Sequence, residues 1–115
     1  MAQEPRGRQQ LVLAGDVGGT KTLLGLAQGG EMLVDRRYAN ADFQDFAAVL
    51  AAFLAETQVD PERIGAGCLA LAGPIADDGR TARLTNLPWT IASADLAHRF
   101  GLPALRLVND FAGAA

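Results

Sequence analysis

Two apolar runs, residues 11–14 and 23–27, flank Gly15-Asp16-Val17-Gly18-Gly19-Thr20-Lys21-Thr22, a pattern that allows little besides two strands joined by a glycine turn. An acidic residue followed by paired glycines also suits a phosphate site. Glycine tolerates positive φ and lets backbone N–H groups approach an anion with no Cβ in the way. Thr20, Lys21 and Thr22 add hydroxyls and a positive charge. Asp16 would repel a bare phosphate, which implies a divalent cation held by its carboxylate directly or through water. A magnesium nucleotide meets these demands together.

The same residues also fit an ordinary β-hairpin, with Gly18-Gly19 as a plain turn and Asp16 as a solvated turn residue. Two other phosphate loops are excluded. No Lys-Ser or Lys-Thr follows a second glycine at Walker A spacing, and the G-x-G-x-x-G of a dinucleotide fold is missing.

Half of the 115 residues are apolar, enough for one domain with a packed core. The net charge of −3 arises from 13 acidic and 10 basic residues spread along the chain, with no basic block of the kind that binds nucleic acid or an anionic membrane. Cys68 is the sole cysteine and sits in the apolar run 64–72, so neither a disulfide framework nor a cysteine metal site is available; a small buried thiol is expected. Residues 1–10 are polar with charges of both signs and read as a disordered tail. The apolar run after them is too short for a signal-peptide core or a membrane span, which points to a cytoplasmic protein. At the other end, Phe111-Ala112-Gly113-Ala114-Ala115 has no capping residue and reads as the interior of a truncated element.

A third strand is expected over residues 31–39, with Asp35-Arg36-Arg37 suiting a sheet edge. Asp42 is positioned to cap a helix over 43–57, whose Phe43, Phe46, Ala47, Leu50, Phe53 and Leu54 form a core stripe. Residues 64–72 read as a strand buried on both faces. A turn-rich loop covers 73–80, and 83–89 suits either a short strand or an ordered binding loop. Ser93 is the expected cap of a helix over 94–100, stopped by Gly101 and Pro103, with His98 a solvated or cap-related side chain. Residues 104–108 form a last strand that delivers Asn109-Asp110.

Asp16 and Asp110 each follow an apolar run and so emerge at the carboxyl end of a strand, the edge where open α/β sheets bind ligands. With the 64–72 strand between them, strand spacing puts the carboxylates about 10 Å apart. That gap admits a phosphoryl group and an acceptor hydroxyl. Phosphoryl transfer needs a metal-phosphate clamp and an acceptor for the nucleophile's proton; Asp16 suits the first role and Asp110 the second. The Asn109 amide can orient a polyol, although an Asn-Asp pair also serves as an ordinary helix cap.

Four stretches in order carry a resemblance: Asp16-Val17-Gly18-Gly19-Thr20-Lys21-Thr22, Leu69-Ala70-Leu71-Ala72-Gly73-Pro74, Leu84-Thr85-Asn86-Leu87-Pro88-Trp89 and Leu107-Val108-Asn109-Asp110-Phe111. Together they resemble the N-terminal part of the bacterial glucokinase family, within the sugar-kinase, actin and Hsp70 superfamily of ribonuclease H-like folds. The resemblance covers residues 11–115 and implies an α/β fold: a mixed five-stranded sheet with flanking helices, the small N-terminal domain of a two-domain kinase whose other domain is absent from this chain. It further implies ATP with Mg2+ as cofactors, with Asp16 as the magnesium residue, through water. Gly18, Gly19, Thr20, Lys21 and Thr22 hold phosphates, Asn109 binds glucose or a related hexose, and Asp110 is the base for the 6-hydroxyl. The stretches around Gly73-Pro74 and Thr85 to Trp89 are expected to border the sugar. Relatives of the ROK group share the first loop but usually continue Asn-Asp with Ala-Asn, whereas Phe111 follows here. A homodimer is compatible with the full-length form.

Two other functions compete. A sugar-sensing regulator on this fold would keep Asn109 but need no catalysis, and intact Asp16 and Asp110 argue against it. A nucleotide-driven switch would lack a small-molecule acceptor, which the Asn109-Asp110 pair argues against.

Overall fold

The chain opens with β1 (Leu11–Val17), β2 (Lys21–Gln28) and β3 (Glu31–Ala39), an antiparallel meander with glycine at both turns. The computed structural model describes residues 10–84, 87–103 and 105–109. Apart from Gln10, the expected N-terminal tail lies outside them, as do Thr85, Asn86, Asp110 and residues 111–115.

After the meander come α1 (Phe46–Thr57), β4 (Ile64–Leu71), β5 (Thr81–Arg83), β6 (Thr90–Ala92), α2 (Ser93–Phe100) and β7 (Leu105–Asn109). The main sheet has the order β3-β2-β1-β4-β7, with β1, β4 and β7 parallel. This is the mixed five-stranded sheet expected from the sequence. β3 lies at its edge and β4 lies between the strands that lead to Asp16 and Asn109. The hairpin β5–β6 forms a separate small sheet; of the stretch 83–89, Arg83 ends β5, and the described residues Leu84 and 87–89 lie between the two short strands. Within that stretch Trp89 is buried, and its carbonyl accepts from the Leu84 N–H at 3.1 Å.

Both helix caps differ from expectation. Asp42 closes a 3₁₀ turn over Asn40–Asp42, so the helix begins later, and Asp45 is the residue that accepts from the Ala48 N–H at 2.9 Å. Phe43 therefore precedes the helix and packs edge-on against Tyr38, with ring centroids 5.6 Å apart. Ser93 caps nothing. It lies inside α2, where its buried Oγ donates to the Leu105 carbonyl at 2.6 Å and accepts from the Leu105 N–H at 3.1 Å. The hydroxyl thus ties the helix to the start of β7.

Both helices pack on one face of the sheet. Leu13, Val17, Leu24, Leu26, Leu69 and Leu71 meet Phe46, Val49, Leu50 and Phe53 there, and burying such side chains contributes about 1.5–3 kcal/mol each. The opposite face carries Val12, Leu23 and Met32 at 42%, 37% and 50% exposure, uncovered by any described residue. For that reason β4 is buried on alternate residues and not on both faces, and Cys68 is half-buried on the open side instead of deep in the core. His98 is exposed in the last turn of α2, as expected.

At the edge of the sheet, the Tyr38 hydroxyl donates to Glu56 Oε1 at 2.8 Å. Burial, reinforced by that hydrogen bond and the neighbouring carboxylate, pushes the phenol up to about 12. A folded-state pKa above the unfolded one means stability that is complete below pH ~10 and is lost as pH rises toward 12. Tyr38 is the only tyrosine, so its ultraviolet titration is unobstructed. The phenolate band should appear well above pH 10 in native protein, and Glu56→Gln should bring the midpoint down.

Candidate functional site

The β1–β2 turn is closed by the Gly18 N–H donating to the Lys21 carbonyl at 2.9 Å, which leaves Gly19-Thr20 as the tip. Positive φ is not what the glycines provide. The described residues with positive φ are Gly29, Gly30, Gly79, Gly101 and Gln58, and neither Gly18 nor Gly19 is among them. Space matters instead, since a Cβ on Gly18 would stand 3.3 Å from the Lys21 carbonyl oxygen. The turn consumes the Gly18 N–H, whereas the N–H groups of Gly19 and Thr20 make no hydrogen bond among the described residues. Those two are the donors an anion can use.

Beneath the turn lies a residue that the sequence did not single out. Asn40, at 2% exposure, donates from Nδ2 to the Gly18 carbonyl at 2.9 Å and accepts from the Thr22 hydroxyl at 2.7 Å. Because a carbonyl can only accept, Nδ2 must face Gly18, and this assigns the amide's orientation. Its backbone N–H also donates to the Thr20 carbonyl at 2.8 Å. One buried amide therefore holds both sides of the loop. Thr22 is corrected accordingly: its fully buried hydroxyl is turned to Asn40 and supports the loop from below, away from any ligand. Asn40→Ala should lower stability by about 2–3 kcal/mol in urea melts, because it leaves the Thr22 hydroxyl and the Gly18 carbonyl unsatisfied. Amide exchange at Gly18, whose N–H closes the turn on the Lys21 carbonyl, should quicken with it.

On the open side of the sheet, Asp16, Gly18, Lys21, Leu23 and Arg37 line a cavity of about 210 Å³. Thr20, Lys21 and the Asp16 carboxylate are exposed there. No cluster of three or more His, Cys, Asp or Glu side chains among the described residues can cage a metal. A single hard carboxylate beside free backbone donors fits magnesium, which keeps several waters and is shared with substrate phosphates.

The second half of the site stands two strands away. The parallel register pairs Val17 with Leu71 and Leu71 with Asn109, so three strands end on one row. Past that row the Ala72 N–H donates to the Val17 carbonyl at 3.1 Å, and Asn109 Nδ2 donates to the Gly73 carbonyl. Asn109 thus reaches the expected edge with its amide nitrogen fastened to the Gly73-Pro74 loop. Gly73 is obligatory there, because a Cβ would overlap the Arg83 carbonyl oxygen. Asp110, the next residue, lies outside the described residues, as do Thr85 and Asn86.

Residues 13–115 match the Glucokinase family. The chain belongs to the glucokinase family. It is 41% identical over 108 residues to the glucokinase of Nostoc punctiforme, across 89% of this chain and 30% of that protein. Among solved structures, a glucokinase from an Antarctic psychrotroph matches with a TM-score of 0.76 at 28% identity, covering 90% of this chain and 33% of the other. A glucokinase from Balamuthia mandrillaris, in complex with glucose, matches with a TM-score of 0.67 at 25% identity over 90% of this chain and 30% of that one. The chain therefore spans about 30% of the length of the curated glucokinases it matches.

Proposed function

We propose that this chain forms the phosphate-loop domain of an ATP-dependent glucokinase, which transfers the terminal phosphoryl group of ATP to the 6-hydroxyl of glucose. The observation that carries the reading is that the Gly18-Gly19 turn and Asn109 stand at the carboxyl ends of two parallel strands, β1 and β7, with β4 between them, in a chain of the glucokinase family. In this reading the N–H groups of Gly19 and Thr20, with the Lys21 ammonium, bind nucleotide phosphates, and Gly18 keeps the approach clear. Asp16 holds water-bound magnesium, which neutralises phosphate charge. Asn109 binds sugar hydroxyls, and Asp110 accepts the proton of the attacking hydroxyl.

Such a reaction is catalysed mainly by positioning and by charge stabilisation. The rigid sheet supplies the positioning: the loop is anchored through Asn40 and the sugar side through the Asn109–Gly73 bond. No helix among the described residues is long and apolar enough to cross a membrane. A cytoplasmic location, with ATP at hand, accords with this reading.

The test is a coupled assay on a protein that carries this chain at the length of its relatives. Glucose-dependent ADP release with glucose 6-phosphate as product is expected, and its absence in folded protein would refute the reading. The 115-residue chain alone should give no turnover, because closure of a second domain is needed to exclude water from the reacting phosphoryl group.

A further inference from the structure

We propose that Arg37 is a second cationic phosphate ligand, acting with Lys21 across the cavity beside the glycine turn; this rests on the glucokinase reading, whose nucleotide supplies the polyphosphate. The sheet register carries the argument. Asp16 is opposite Leu23, and Leu23 is opposite Arg37, so alternation directs all three to the same uncovered face. Lys21 is opposite Ala39, which makes it the diagonal neighbour of Arg37. Diagonal cross-strand positions are ~7–8 Å apart, close enough for two long cationic side chains to converge on one phosphate group. Both residues line the same cavity as Asp16 and Gly18.

The adjacent arginine shows what an ordinary edge charge does here. Arg36 turns to the helical face, where its Nε lies 3.9 Å from Glu56 Oε1 and its Nη1 donates to the Asp35 carbonyl at 2.8 Å. Arg37 and Lys21 make no ion pair or side-chain hydrogen bond among the described residues. Two cations share the cavity with one carboxylate, Asp16, and keep donor capacity that an incoming anion can use. Phosphate oxygens satisfy both, and the guanidinium fork can take two of them at once.

The alternative is that Arg37 only keeps the edge strand from pairing with other chains. An NMR titration of the 15N-labelled chain with magnesium tripolyphosphate, and separately with magnesium ATP, at low ionic strength separates the two. Saturable shifts at Gly19 and Thr20 are expected in the unaltered chain. Arg37→Gln should weaken binding of both probes about five- to tenfold, as expected for loss of a charge-assisted contact. Arg36→Gln should stay within about twofold, and Arg37→Lys should recover part of the loss. If Gly18→Val abolishes binding while Arg37→Gln matches the unaltered chain, the proposal fails and the phosphate-loop reading stands. If the unaltered chain shows no saturable shift with either probe, both fail together.

Discussion

Replacing Asp110 by Asn in a glucokinase-length protein should lower kcat by about 10²–10⁴-fold while glucose binding weakens far less. The substitution keeps the shape and removes the charge that, in the function proposed above, takes the proton of the 6-hydroxyl. In a loose phosphoryl-transfer transition state that proton leaves late, so the carboxylate first orients the hydroxyl and then accepts from it as the new bond forms. Sugar affinity should persist because Asn109, fastened to the Gly73 loop, is untouched. Steady-state kinetics with glucose varied at saturating magnesium ATP would decide the matter. A kcat within about threefold of the parent, or a loss confined to KM, would make Asp110 a sugar ligand or a helix cap.

The second large effect is on folding. Gly73→Ala should destabilise the chain by roughly 3 kcal/mol, at the upper end for an overpacked site. The added methyl would overlap the Arg83 carbonyl and stand 3.0 Å from Leu84 Cα, both backbone atoms that cannot rotate away. Relief requires moving β5, which disturbs the buried Leu84 and Trp89 and pulls the Gly73 carbonyl from Asn109. Gly79→Ala is the fitting comparison. Its φ is 72°, with nothing within 4 Å of an added Cβ, so it should cost only about 1–2 kcal/mol from backbone conformation. Urea midpoints for the two variants test this directly, and equal losses would mean that the Arg83 contact yields easily.

The strands of the meander could be read from the sequence because their register depends on neighbours a few residues away and on glycines at the turns. The five-stranded sheet and the family followed from motifs whose order is itself informative. Helix α1 was misread at its start because two aspartates, Asp42 and Asp45, both suit a cap, and only the 3₁₀ turn between Asn40 and Asp42 decides which one serves. Ser93 was misread for a related reason: a serine hydroxyl caps a helix or bonds a distant strand equally well, and Leu105 lies 12 residues away. The strands β5 and β6 are three residues each, too short to show alternation. Asn40 left no local signal, and Arg37 reads in the sequence only as an edge charge. Their positions become meaningful only when β3 is laid beside β2, which brings Asn40 within reach of a turn 22 residues earlier in the chain.

The chain connectivity of the sheet also has a kinetic consequence. β1, β2 and β3 pair through turns of a few residues, whereas β4 reaches β1 only after α1, and β7 reaches β4 only after the small hairpin and α2. Closing a short loop loses less entropy than closing a long one, so contacts of low sequence separation form first. During folding the glycine turn and its Asn40 anchor therefore assemble early, as a local nucleus. The Gly73–Asn109 side matures last, once two crossovers have closed. The two ends of this edge are separated in time as well as in sequence, and a chain interrupted midway through synthesis would already hold the glycine turn and its Asn40 anchor.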